Sequence, residues 1–215
     1  MPDFATLRAR MVEGQLRRRG ISDERVLAAM GAAPREAFVP APLRHRAYAD
    51  VALPIVAGQT ISQPWIVAAI CQALELDGSE RVLEVGTGSG YSACVLAELA
   101  REVVSIERQR ELASGARRAL AALAVTNVEL SVGDGSRGVP ERAPYAAIAV
   151  HAAAPAPPPA LIAQLAEGGR LVVPIVVGEE EMLTVLRRRG EQVESTPIAP
   201  CRFVPLIGEE GFAEG

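Results

Sequence analysis

One short stretch constrains this chain more than any other: Arg81-Val82-Leu83-Glu84-Val85 runs straight into Gly86-Thr87-Gly88-Ser89-Gly90, and an apolar helical pattern starts at Tyr91. A short aliphatic run bounded by a glycine cluster reads as a buried strand. Glycines serve where the chain turns sharply and where backbone must approach a ligand, and a helix N-terminus presents unpaired N–H groups. The order strand, glycine loop, helix therefore opens a parallel α/β sheet and offers a cradle for a nucleotide-type ligand.

The rest of the sequence keeps that rhythm. Further strands are expected at 102–106, 128–132, 146–150 and 170–176, separated by helical patterns at 90–100, 111–123 and 160–165, each suited to a right-handed crossover. Segments 182–188 and 195–204, on either side of Gly190, read as an antiparallel hairpin closing one sheet edge. Upstream, Leu7, Met11, Val12 and Leu16 fall at helical spacing over 4–19, and Ser22-Asp23-Glu24 caps a second short helix ending at Gly31. The Pro- and Ala-rich tract 34–58 has no clean period and reads as short turns and extended pieces. The expected organisation is a small N-terminal helical or lid segment with a substrate loop (1–78) joined to a doubly wound, mostly parallel core (79–215) as one compact unit.

Composition narrows the function classes. With 49% hydrophobic and 22% charged residues the chain can bury a core and is not a disordered polymer. The net charge of −4 provides no field to gather a polyanion, so nucleic acid is not expected as a partner. The arginine triplets 17–19 and 187–189 stand at element ends and read as solvated termini. Cys71, Cys94 and Cys201 are odd in number and lack ligand spacing, so neither a disulfide framework nor a metal site is expected. There is no basic-then-apolar leader pattern and no run of about 18 apolar residues, which predicts a cytoplasmic protein away from membranes; a monomer is expected.

Two acids after the glycine loop specify its ligand further. Glu107 ends the next strand 19 residues beyond Gly88, where a carboxylate can accept both ribose hydroxyls. Glu84 stands two residues before Gly86, and the loop is GxGxG; a pyrophosphate prefers the longer GxGxxG and would be repelled by that acid, whereas the ammonium of a methionine moiety is suited by it. A P-loop is excluded because no GK[ST] follows. Asp134, between Gly133 and Gly135 at the end of a third strand, can accept the adenine amine, although alone it reads equally well as a turn residue.

Taken with Gln59-Thr60-Ile61-Ser62-Gln63-Pro64-Trp65 and Arg202-Phe203-Val204-Pro205-Leu206, these motifs resemble the protein-L-isoaspartate O-methyltransferase family. The likeness also runs through Met11-Val12-Glu13-Gly14-Gln15-Leu16, Leu53-Pro54-Ile55, Gly133-Asp134-Gly135 and Gly168-Gly169-Arg170-Leu171, in order along nearly the whole chain. The resemblance implies a class I methyltransferase, Rossmann-like fold, S-adenosylmethionine as donor, and isoaspartyl proteins and peptides as partners. It implies cofactor binding by Glu84, Gly86, Thr87, Gly88, Ser89, Gly90, Glu107, Asp134 and Gly135. The family's active-site serine falls on Ser62, with Thr60 beside it, and substrate contact is expected at Ile61, Arg202, Val204 and Pro205 through exposed backbone. Two departures stand out: Ala146 where the family often has aspartate, and Ala49, Val51 and Ala52 in a segment that is more often polar.

The expected reaction is the in-line displacement of a sulfonium by an oxygen. A carboxylate is already ionised at neutral pH, so Thr60 and Ser62 are read as positioners and no general base is needed. Ser62 also reads as a helix N-cap before Pro64, Arg202–Leu206 as a plain last strand, and His45 and His151 as structural or surface groups, the latter at a strand end facing the cofactor edge. Ala152–Pro159 is expected to wall the site. Two rival functions share these residues: methylation of an aspartate in a dedicated biosynthetic peptide, and a non-catalytic cofactor-binding relative.

Overall fold

A computed structural model describes residues 3–214; Met1, Pro2 and Gly215, at the ends of the two expected units, lie outside it. Asp3 caps helix α1 (Phe4–Met11) by accepting from the Thr6 amide. The helical path then widens into a π turn over Val12–Leu16 and tightens into a 3-10 turn over Arg17–Arg19 before Gly20, at φ 94°, ends it. The single helix expected over 4–19 is thus three geometries in series, and Gln15 of the π turn donates to the Tyr48 carbonyl at 2.9 Å. Asp23 caps α2 (Glu24–Ala32), while the Ser22 amide donates instead to Gln72. Short 3-10 turns occupy Arg35–Phe38 and Ala41–Arg46, followed by a two-stranded hairpin of β1 (Leu53–Pro54) and β2 (Thr60–Ile61) and then α3 (Pro64–Leu74).

The sheet uses β3 (Arg81–Val85), β4 (Glu102–Glu107), β5 (Val128–Val132), β6 (Tyr145–Val150), β7 (Leu165–Val177), β8 (Glu180–Arg189) and β9 (Gln192–Cys201), in the order β5-β4-β3-β6-β7-β8-β9. Pairing is parallel from β5 through β7 and antiparallel for β8 and β9. Crossovers run through α4 (Tyr91–Leu99), α5 (Arg110–Ala122) and the short α6 (Pro159–Ala163).

Both faces of the sheet are covered, which is why its strands read as continuous aliphatic runs. Val82, Val103, Ala147, Ala149 and Val172 pack with α2, α3, α4 and the turns before them, so the first 78 residues share a core with the sheet. Leu83, Val85, Val104, Ile148, Val150, Leu171 and Val173 face the other layer, which includes Leu161 and Leu206. Arg35 is fully buried; it donates to the Ala47 carbonyl at 2.7 Å and lays its guanidinium 4.9 Å from the Tyr91 ring centre, tying the N-terminal turns to α4.

Three expectations shift. β7 begins at Leu165 rather than 170, because Leu165 already pairs with Tyr145 before a register break that accommodates Gly168 and Gly169. β9 ends at Cys201, so 202–204 leave the hairpin: the Phe203 amide donates to Glu181, and Ala153 bridges Val204 and Leu206. Ala146 lies at the amino end of β6, so its missing acid is not at the cofactor edge: by strand rise, five residues to His151 span about 16 Å. No described helix is long and apolar enough to cross a membrane.

Candidate active site

The parallel strands point their carboxyl ends to one edge, and at β3 the chain runs outward to β4 on one side and β6 on the other; such a switch point opens a crevice. A cleft of about 320 Å³ lies there, within the range of small-molecule sites. It is lined by Gly86, Thr87, Gly88 and Ser89 after β3, Glu107 to Gln109 after β4, Gly135 after β5, and His151 and Ala152 after β6.

The glycine loop takes its shape from backbone that other residues avoid: Gly86, Gly88 and Gly90 have φ of 90°, 54° and 91°. Glu107 organises it, its carboxylate accepting from the Gly88 amide at 2.9 Å with one oxygen and from the Gln109 amide at 2.9 Å with the other. Two amides leave about half of an ionised carboxylate's acceptor sites open, enough for a pair of hydroxyls. Gly135 is needed for space, since a Cβ there would sit 2.6 Å from a Val85 methyl.

The other two acids are placed differently from expectation. Glu84 has no exposed surface and does not line the cleft. One of its oxygens accepts from the Ser105 hydroxyl at 2.5 Å, Ser105 in turn meets Thr87 at 2.6 Å, and the other oxygen has no partner. Burial pushes this carboxyl up to about 8, against the Ser105 hydrogen bond and the pull of the nearby Ser92 hydroxyl. Between Glu84 and the cleft stands His151, almost fully buried, with Nε2 2.7 Å from Ser92 Oγ and 3.6 Å from the unpartnered Glu84 oxygen; burial drives its pKa down to about 4. Asp134 is also spoken for: it accepts from the Ser136 amide and hydroxyl at 2.9 and 2.7 Å and from the Glu209 amide at 2.8 Å. Its carboxylate therefore locks the turn to the 208–209 loop, and only its neighbour Gly135 reaches the cleft.

The roof comes from the β1–β2 hairpin, where Gly58, Gln59, Thr60, Ile61 and Ser62 line the cleft. Ile55 approaches the glycine loop, its δ-methyl 3.9 Å from where a Cβ on Gly88 would be. Ile61 is buried in the core, whereas the Thr60 and Ser62 hydroxyls make no hydrogen bond within the described residues. Ser62 does not cap α3: the cap residue is Gln63, and the Trp65 amide is met by Asp50 at 3.2 Å, which also pairs with Arg19. The opposite wall is Ala152 with Val204 to Ile207; Arg202 is exposed outside the cleft.

Residues 8–211 match the family model described as protein-L-isoaspartate(D-aspartate) O-methyltransferase. The chain belongs to that family. A protein-L-isoaspartate O-methyltransferase of Koribacter versatilis is 51% identical over 210 residues, covering 98% of this chain and 95% of the relative. A solved protein-L-isoaspartate O-methyltransferase superposes with a TM-score of 0.85 at 31% identity, covering 95% of this chain and 67% of the other. A crystal structure from Plasmodium falciparum, in complex with S-adenosyl-L-homocysteine, has a TM-score of 0.79 at 24% identity, covering 96% and 99%, and shares the fold. Within the family's α/β methyltransferase frame, the cleft fits S-adenosylmethionine on its own chemistry. The glycine loop accommodates close approach, Glu107 has acceptor sites to spare for ribose, and a buried carboxyl oxygen behind the floor lacks a partner.

Of the residues expected from the sequence, Gly86 to Ser89, Glu107, Gly135, Thr60, Ile61, Ser62, Val204 and Pro205 meet at the cleft, whereas Gly90 packs against Ala116 outside it. Sequence reasoning missed His151 and Ser92 as a cleft-side pair. The available signal was positional: His151 follows a strand whose carboxyl end shares an edge with Gly86 and Glu107, and the His151 Cβ is 3.5 Å from where a Cβ on Gly86 would be.

Proposed function

We propose that this chain transfers a methyl group from S-adenosylmethionine to the free α-carboxylate of L-isoaspartyl residues, or the β-carboxylate of D-aspartyl residues, in damaged proteins and peptides. The backbone amide nitrogen that follows then attacks the ester carbonyl and expels methanol, a far better leaving group than a carboxylate offers, and hydrolysis of the resulting succinimide returns some normal aspartate. The observation that carries this reading is the pair of unpartnered hydroxyls, Thr60 and Ser62, facing the same cleft as the glycine loop and Glu107.

S-adenosylmethionine, when bound, supplies a methyl on a sulfonium sulfur that an incoming oxygen can displace. The residues of the chain act by placement. Glu107 would hold the ribose hydroxyls with the acceptor sites its two amide bonds leave open, while Thr60 and Ser62 donate to the acceptor carboxylate and aim one of its oxygens. A carboxylate needs no base at neutral pH, so orientation is the main lever, worth up to roughly 7–11 kcal/mol for well-aligned groups. The Ile55 methyl beside Gly88 gives the hairpin roof an apolar contact with the glycine loop. The extended run through Val204 and Pro205 meets substrate main chain, since among the described residues only its Ala153-facing side is bonded. In the same reading the enzyme is a cytoplasmic monomer that works without nucleic acid, consistent with a net charge of −4.

Base-labile methyl incorporation into an isoaspartyl peptide and its aspartyl twin tests this. Label is expected only in the first. The Thr60→Ala/Ser62→Ala double variant should lose on the order of 10²-fold in kcat, the cost of misplaced reactants, with S-adenosylhomocysteine affinity within about twofold. Equal labelling of both peptides, or unchanged turnover in the double variant, would refute it.

A further inference from the structure

The floor of the cleft holds a polar cluster that the reaction above does not use. Glu84 on β3 has an oxygen without a partner in a site of zero exposure; Ser92 on α4 is hydrogen-bonded to His151 Nε2; and that nitrogen lies 3.6 Å from the orphan oxygen, too far for a direct bond. The Ser92 hydroxyl acts on both, for it also stands close enough to the Glu84 carboxyl to favour its charged form without closing a hydrogen bond to it. His151 lines the cleft, and its Nδ1 makes no hydrogen bond within the described residues. The hydroxyl and the imidazole therefore stand side by side between the buried carboxyl and the ligand space. The other titratable groups facing Glu84 are Glu107 from β4 and Cys71 from α3, and neither is a cation. Among the described residues no cation balances a negative charge at Glu84.

We propose that His151, and not Glu84, meets the ammonium of the methyl donor through Nδ1, with Ser92 relaying the Glu84 charge to it, and that binding an ammonium-bearing ligand expels one proton from this cluster. In the ligand-free protein the Glu84 carboxyl keeps its proton and donates it towards Ser92, Ser92 donates to Nε2, and Nδ1 carries the ring hydrogen. Arrival of the ammonium reverses the run. The Glu84 proton passes to Ser92, the Ser92 proton passes to Nε2, and the Nδ1 hydrogen leaves to solvent, so three bonds to hydrogen break, two form, and one proton is released. A carboxyl with a pKa raised by burial and an imidazole kept neutral by burial are the starting states this requires.

The inference rests on the donor-binding reading of the cleft, and the test separates the two. Calorimetric titrations with S-adenosylhomocysteine, which has the amino-acid end, and with 5′-methylthioadenosine, which lacks it, are run at pH 7 in two buffers of different ionisation enthalpy. The expected result is release of close to one proton with the first ligand and none with the second. His151→Ala should weaken S-adenosylhomocysteine by roughly tenfold or more while leaving methylthioadenosine unchanged. His151→Asn, whose amide oxygen replaces Nδ1 as acceptor, should recover part of the loss. Equal proton release with both ligands, or equal weakening of both by His151→Ala, overturns the relay. If the wild-type protein bound neither ligand, the donor reading itself would fall.

Discussion

Replacing Glu107 by Gln isolates what its charge does, because the side chain keeps its shape and place at the end of β4. The native carboxylate accepts two amides at 2.9 Å each, from Gly88 and Gln109. A glutamine has one oxygen and one NH2 group, so one amide keeps a weaker neutral acceptor and the other faces a donor. Losing a hydrogen bond to a charged acceptor costs about 1.5–3 kcal/mol, and demoting the other to a neutral bond costs about 1 kcal/mol more, giving roughly 2–4 kcal/mol of stability. For a chain of this size that corresponds to a fall in Tm of roughly 4–16 °C. Ribose hydroxyls lose the same ionised acceptor, so affinity for both S-adenosylhomocysteine and methylthioadenosine should fall about 10- to 150-fold. Thermal denaturation without ligand and calorimetry with each read the two effects separately. A Tm within 1–2 °C of wild type, given the few degrees expected per kcal/mol, would mean that Glu107 does not organise the loop. Unchanged nucleoside affinity would remove it from the ribose site, and loss with only one nucleoside would place it at the wrong end of the ligand.

Two further outcomes follow from buried or capping groups. Asp50→Ala removes both the acceptor of the Trp65 amide and the partner of Arg19; it should cost about 1 kcal/mol by urea denaturation and raise the peptide KM more than the nucleoside Kd, because it loosens the start of α3 next to Ser62. The ligand-free protein should lose stability as pH rises from about 6.5 to 8. Glu84, raised from an ordinary 4.5 to about 8, contributes stability that is complete below 4.5 and lost on the way up to 8. His151, lowered from 6.5 to about 4, contributes stability present above 6.5 and lost as pH falls towards 4. The two slopes oppose each other between 4.5 and 6.5, leaving only the Glu84 decline above that; denaturant midpoints across the range should show it, and Glu84→Gln should flatten it.

The sheet was legible in the sequence because its evidence is local: aliphatic runs of five or six, each followed by a glycine, an acid or a polar turn. Glu107 was legible for the same reason, since its distance from Gly88 is fixed by one crossover. Glu84 was read from its neighbours along the chain, but its surroundings come from Ser105, Ser92 and His151, which sit 21, 8 and 67 positions away, and these bury it. For Asp134 the sequence leaves adenine acceptor and turn residue equally open, because the Glu209 amide that ties its carboxylate into a turn is 75 residues downstream. Ser62 looked like a cap for α3 because the acceptor that serves, Asp50, comes from the preceding segment. Side-chain partners set by long-range packing leave no periodic trace.

The outermost strand, β9, is exposed along most of its length and carries Pro197 and Pro200. Proline cannot donate to a ladder and is one of the devices by which sheet margins resist added strands. For a protein of a family that acts on isoaspartyl proteins, this matters: the largest open border of its sheet is a poor template for a stray extended segment. Under the proposed function such segments engage the short run beside Ala153, so a methylated chain has little to hold it while its succinimide forms.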